Sequence, residues 1–189
     1  MKILLVDHND SFTYNILELI RKFKSVTVDV EPYNKLDLKK VAKYDKIILS
    51  PGPQLPKDYP KSKALIQKYY QQKPILGICL GHQILSEFFG WNLYNLKVVK
   101  HGVKEEIIIN NQTLLYHHLP PKINVGLYHS WAVKEHKKNQ NLQITATNKN
   151  GVIMSVQHKK LPIFGVQYHL ESFLTESGKN MMENFLFNA

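Results

Sequence analysis

A strand, a glycine-flanked cysteine and a helix in immediate succession constrain this chain more than any other stretch. The apolar run Pro74-Ile75-Leu76 leads into Gly77-Ile78-Cys79-Leu80-Gly81, and a helix-like stretch continues to Phe89. This is the pattern of a nucleophile elbow: a strand turns sharply into a helix, and the flanking glycines give a strained backbone room to push the central side chain into the open. Cys79 is the only cysteine in the sequence. A lone cysteine is ordinarily a small buried hydrophobe. The strand and helix on either side of this one favour a nucleophile.

The elements around the elbow alternate. Lys2 to Asp7, Val26 to Glu31, Lys46 to Ser50 and Pro74 to Ile78 read as buried strands. Between them, Phe12 to Phe23 places Phe12, Ile16, Leu19, Ile20 and Phe23 at helical spacing behind Asp10 and Ser11 as capping residues, and a second helix is expected from about Pro60 to Gln71. Repeated strand, helix, strand predicts an α/β fold: an open, mostly parallel central sheet with helices on both faces. From Trp91 the pattern changes to short β runs at Val98 to Val103, Glu106 to Ile109, Val125 to Val133, Gln143 to Ala146, Val152 to Gln157 and Ile163 to Tyr168. These are expected to extend the sheet and add a small antiparallel layer, before a last helix from Glu176 to Phe187. No linker-like segment divides the 189 residues, so a single domain spanning 1–189 is expected.

Composition excludes several functions. The formal charge is +10, but Arg21 is the only arginine among 25 basic residues, and base readout relies on the guanidinium fork. The lysines are scattered apart from Lys134, Lys137 and Lys138 and the pair Lys159 and Lys160, which suits a solvated surface and no nucleic acid. No apolar stretch approaches the roughly 20 residues that span a bilayer. One cysteine precludes an intramolecular disulfide, and the start Met1 to Asp7 lacks a signal-peptide pattern, so a cytoplasmic protein is expected. No paired-cysteine or His-Glu-x-x-His motif points to a metal, and no cofactor is expected.

Ligands of open α/β sheets bind beyond the carboxyl ends of the strands. Asp7 to Ser11, Pro51-Gly52-Pro53, the Cys79 elbow and Tyr168-His169-Leu170-Glu171 all fall at such ends and can share one rim. A reactive thiolate needs a base, and the base an orienting partner. His169 and Glu171, two residues apart on an extended chain, point to the same side; Glu171 can hold one imidazole nitrogen while the other faces Cys79. A Cys79, His169, Glu171 triad is therefore expected. His82 falls where it would cap or pack the following helix. His101, His117, His118 and His136 lack a strand-end context, and His129 lies in a β run read as a binding wall. The backbone N–H of Leu80, just after the nucleophile, and that of Gly52 are the candidate oxyanion donors.

Together these residues resemble the class I (triad) glutamine amidotransferases, within them the small glutaminase subunits (component II) of anthranilate synthase and aminodeoxychorismate synthase. The resemblance runs through Val6-Asp7-His8-Asn9-Asp10-Ser11-Phe12-Thr13-Tyr14-Asn15, Ser50-Pro51-Gly52-Pro53, Gly77-Ile78-Cys79-Leu80-Gly81-His82-Gln83, His101-Gly102, Tyr128-His129-Ser130 and Gly165-Val166-Gln167-Tyr168-His169-Leu170-Glu171-Ser172. It implies that Cys79 attacks the carboxamide of L-glutamine, that His169 carries the proton to departing ammonia, that Glu171 orients His169, and that water then hydrolyses a γ-glutamyl thioester. It also implies that Gly52 and Leu80 bind the oxyanion, while Gln83, Ser130 and the backbone around Trp131 hold the amino-acid end.

Two positions depart from the family pattern. Gln54 stands where glycine is common; it can still offer its backbone N–H to glutamine, but its side chain narrows the approach. Leu170 stands where proline is usual, removing a lock between His169 and Glu171. Activity is expected to survive with some loss of preorganisation. Because the fold uses the whole chain, the ammonia acceptor is expected on another polypeptide. That partner is a chorismate-binding synthase subunit (component I), docking around Asp10 to Tyr14 and His101-Gly102. A standalone γ-glutamyl or peptide cysteine hydrolase, and a catalytically weakened regulatory subunit, are the competing readings.

Overall fold

The computed structural model describes residues 1–136 and 140–189; Lys137 and Lys138 of the lysine cluster lie outside the described residues. Nine strands form one sheet in the order β2-β1-β3-β4-β9-β8-β7-β5-β6. The first five positions are filled by parallel neighbours: β2 (Thr27–Pro32), β1 (Lys2–Asp7), β3 (Lys46–Leu49), β4 (Ile75–Ile78) and β9 (Ile163–Val166). The rest, β8 (Ile153–His158), β7 (Leu142–Asn148), β5 (Asn92–Ile109) and β6 (Lys122–Lys134), are antiparallel. The antiparallel part is continuous with the parallel part through the β8–β9 pair.

Alternation along the strands builds two cores. In β1, Ile3 and Leu5 join the cluster that packs α1 (Thr13–Arg21) and α4 (Gly178–Asn188), through Ile16, Ile20, Met181 and Phe185. Leu4 and Val6 join the opposite cluster with Leu65 and Ile66 of α2 (Pro60–Tyr69) and Ile84 and Leu85 of α3 (Leu80–Phe88). Both faces are thus buried, which is why these strands read as continuous apolar runs.

Three details differ from the sequence expectation. The runs at Val98 to Val103 and Glu106 to Ile109 belong to one 18-residue strand, β5. Gly102, at φ +68°, marks a register shift against β6 between His101 and Val103 rather than a strand end. Much of β5 is exposed, so no clean alternation betrays it. Secondly, no side chain caps α1. Asp10 accepts from the Phe12 N–H at 2.8 Å and so orders the turn ahead of the helix, and the Asp7 carboxylate takes the Thr13 hydroxyl at 2.8 Å. Thirdly, His169 and Glu171 do not lie on an extended strand. Past the end of β9, His169 pairs with Gly126 of β6 as a lone bridge, and the Ser172 N–H returns to the His169 carbonyl at 3.3 Å, closing a turn. That bridge folds the far edge of the sheet back over the strand ends and fixes the site.

Candidate active site

The elbow is built by close approach of backbones. A Cβ on Gly77 would strike the carbonyl of Gly81, and a Cβ on Gly81 would strike the carbonyl oxygen of Leu49 in β3, both well inside 3.0 Å. Neither glycine has a positive φ; the strain sits on Cys79 itself, at φ 51° and ψ −101°. Its N–H donates to Val166 O of β9 at 2.8 Å, holding the strained residue in place. The side chain faces a cleft of about 570 Å³ but is only 7% exposed, so the sulfur lies at the cleft floor rather than in the open.

All four predicted strand ends contribute to this cleft. Asp10, Ser11, Phe12, Pro51 to Gln54, Cys79, Leu80, Gln83, His101, Tyr128 to Trp131 and His169 line it. Glu171 lies behind His169 with its side chain fully buried, and its Oε1 is 2.7 Å from His169 Nδ1. Nδ1 therefore carries a proton toward the carboxylate. The second ring nitrogen, Nε2, has no hydrogen-bond partner among the described residues, nor has Glu171 Oε2. Burial lowers the imidazole's proton affinity, but hydrogen bonding and charge at Cys79, then Glu171, outweigh it and raise the pKa to about 10. Sulfur and imidazole thus influence each other at close range without a formed bond to Nε2. The ring also packs against Phe12 and Tyr128, with centroids at 4.9 and 4.8 Å, and those two rings touch each other at 4.9 Å.

The His169 backbone is held at both polar groups. Its N–H donates to Gly126 O at 3.0 Å and its carbonyl accepts from Thr175 Oγ1 at 2.6 Å. Leu170, where proline was the family expectation, is 2% exposed and belongs to the same buried cluster as Tyr168 and Met181. Gly52 packs directly on Leu80: a Cβ there would collide with the Leu80 side chain and lie 2.8 Å from His8 Cβ. The contact with His8 Cβ, which is not a flexible side-chain end, leaves no room for a side chain at this position. Leu80 opens α3, whose first N–H groups have no intrahelical acceptor. Gln54 is exposed at the cleft rim.

Among the rival histidines, His82 is fully buried and both ring nitrogens lack partners among the described residues. Burial, with a smaller contribution from His129, lowers its pKa to about 3. His129 is also buried, with Nδ1 2.9 Å from Trp131 O; burial lowers its pKa too. His8 contacts Ser62 Oγ at 2.8 Å through Nε2 and Ser50 Oγ at 3.2 Å through Nδ1, and burial lowers its pKa to about 4. His8 and His82 are therefore neutral in the fold but bind protons below about pH 6.5 when unfolded. Stability from both is present above that pH and lost as pH falls toward their folded values. His169, with a raised pKa, contributes in the opposite sense: its share is complete below about pH 6.5 and is lost only as pH rises toward about 10. Between pH 7 and pH 5 it returns only about 1 kcal/mol. Urea unfolding at pH 7 and pH 5 is expected to show about 3 kcal/mol less stability at the lower pH, about 2 lost from each buried neutral histidine and about 1 regained at His169. A change under about 1 kcal/mol would contradict the buried neutral assignment.

Three residues reached the triad without a role assigned from the sequence, although each lies in a segment that carries the family resemblance. Phe12 reads as a core position of α1 by its spacing, yet its ring meets that of His169 edge to face. Tyr128 arrives through the β6 fold-back. Gln167 is fully buried and donates from Nε2 to Cys79 Sγ at 3.5 Å. In the sequence, its proximity to His169 hinted at a place in the site.

The site thus holds a strained, glycine-flanked cysteine before a helix and a carboxylate-held imidazole lining the same cleft. The family model for glutamine amidotransferase class-I matches residues 4–189, and the chain belongs to that family. Within it, the chain is 45% identical over 186 residues to a Haemophilus influenzae protein whose name includes anthranilate synthase component II, covering 98% of this chain and 96% of that one. It is 39% identical over 185 residues to "Anthranilate synthase component 2" of Lactococcus lactis, covering 97% and 93%. A solved glutamine amidotransferase of Thermotoga maritima superposes with TM-score 0.85 at 16% identity, covering 100% of this chain and 97% of that one, and shows the fold alone. No described helix is long and apolar enough to cross a membrane.

Proposed function

We propose that this chain is the glutaminase subunit of a chorismate-using synthase. Cys79 attacks the carboxamide carbon of L-glutamine, and the N–H groups of Leu80 and Gly52 stabilise the oxyanion. His169 carries the thiol proton to the departing ammonia. Water, deprotonated by His169, then attacks the γ-glutamyl thioester, releasing glutamate and regenerating the thiol. Glu171 keeps the imidazole oriented and favours its protonated form. Gln83, Ser130 and the Trp131 backbone hold the amino-acid end, and Gln54 shapes the rim. The observation that carries this reading is the 2.7 Å His169–Glu171 pair, with Nε2 unpartnered among the described residues, lining the same cleft as the only sulfhydryl.

Ammonia is largely protonated near neutral pH and then not nucleophilic, so the product has to pass directly to an acceptor. Exposed apolar side chains flank the cleft-lining segments: Phe173 is 91% exposed, Val98 70%, and Tyr14 and Val99 61% each. Such a rim suits a docked protein. The component II names of the relatives favour a chorismate-binding component I as that protein and anthranilate as its product, with aminodeoxychorismate the second possibility on the same chemistry. The test is synthesis by this chain combined with its native chorismate-binding subunit. Glutamine-dependent anthranilate is the expected product; an aminated product that retains the chorismate side chain would move the protein to the other branch. Absence of any aminated product would overturn the reading.

A further inference from the structure

We infer that Gln167 is a positioning residue for the nucleophile, the end of a directed hydrogen-bond chain that turns an N–H toward the Cys79 sulfur. This rests on the glutaminase reading above. Trp131 O accepts from Gln83 Nε2 at 3.0 Å, and the same nitrogen donates to Gln167 Oε1 at 3.1 Å. With its oxygen engaged, Gln167 presents Nε2 to Cys79 Sγ at 3.5 Å. A backbone carbonyl cannot donate, so it fixes the direction of each amide in turn. Reversing Gln167 would set two N–H groups against each other and an oxygen against the sulfur. Gln167 is fully buried and Gln83 nearly so, a low-dielectric setting that strengthens these bonds.

A thiolate is a far better acceptor than a thiol, so the fixed donor lies where the sulfur's negative charge would be received. The chain also ties the sulfur to Gln83 and Trp131, which line the cleft where the amino-acid end of glutamine is placed. Nucleophile and binding wall are thereby held in one register.

Gln167→Met keeps the volume and removes the donor; Gln167→Glu keeps the acceptor for Gln83 and sets an oxygen against the sulfur. Both are read by the pH profile of Cys79 alkylation with iodoacetamide and by glutamine turnover, with thermal unfolding as the check on folding. For Gln167→Met, alkylation at pH 7 is expected to slow about tenfold, the profile to move about one unit to the alkaline side, and kcat to fall about tenfold with KM changed less than about threefold. Gln167→Glu is expected to lose at least as much. Folded variants whose profiles superimpose on that of the wild type would overturn the inference. Should both variants fail to fold, NMR of the wild-type glutamine amides decides it: a Gln167 Nε2 proton is expected to shift as the sulfur–imidazole pair titrates, and an unmoved resonance would overturn the proposal. A failure of the glutaminase reading is seen separately, as a wild type inert toward glutamine beside its partner.

Discussion

Gly81→Ala is expected to damage this protein severely although alanine is the better helix former. Propensity favours the substitution by about 1 kcal/mol. Against it, the new Cβ would meet Leu49 O inside any real contact distance and Leu49 Cβ at 2.7 Å. The obstacle is backbone of β3, a fully buried central strand that cannot turn aside as a flexible side chain would. Either β3 or the start of α3 has to move, and Gly77, packed on the Gly81 carbonyl, moves with it. A net loss of about 3 kcal/mol corresponds to a melting temperature roughly 6–12 °C lower for a domain of this size. Because α3 begins at Leu80, directly after its cap residue Cys79, a shift near 1 Å is also expected to cost about 10²-fold in glutamine turnover. Gly151→Ala is the contrast: no atom lies within 4 Å, and only its φ of +77° opposes the change, so about 1 kcal/mol is expected. Thermal unfolding of both variants makes the comparison. A Gly81→Ala protein melting within about 2 °C of wild type would mean that the elbow does not depend on this close approach.

The elbow was legible in the sequence because its parts are local: an apolar strand, two glycines and a helix within sixteen residues carry the whole signal. The same holds for His169 and Glu171, whose pairing needs only the turn between them. The glycines, however, serve packing of three backbones, which no sequence pattern distinguishes from backbone freedom. What escaped was long-range. Gln167 and Cys79 lie 88 positions apart, and only the pairing of β4 with β9 brings them together. Tyr128 reaches His169 because Gly126 bridges to it; a side chain at Gly126 would meet Ser172 Oγ at 2.7 Å. Phe12 was readable as apolar at helical spacing, but spacing cannot say that it stops short of α1 and turns to the imidazole. The length of β5 was hidden because much of it is exposed.

Cys79→Ala is expected to remove glutamine-dependent synthesis by about 10⁴-fold or more, since no second group can take over the attack. Ser11 and Ser130 also line the cleft, but Cys79 is the nucleophilic side chain whose charge and hydrogen bonding act on the His169 ring. The deletion removes one buried sulfur from the cleft floor and leaves the rim unchanged, so docking of the chorismate-binding subunit should persist. With ammonia supplied as ammonium salt at alkaline pH, the step that Cys79 performs is bypassed, and synthesis by the complex is expected to stay within about twofold of wild type. The assay that decides the account is therefore product formation by the Cys79→Ala complex, measured side by side with glutamine and with ammonium salt. The account predicts the loss of the first activity and the survival of the second; glutamine-dependent synthesis above about one hundredth of the wild-type rate would contradict it.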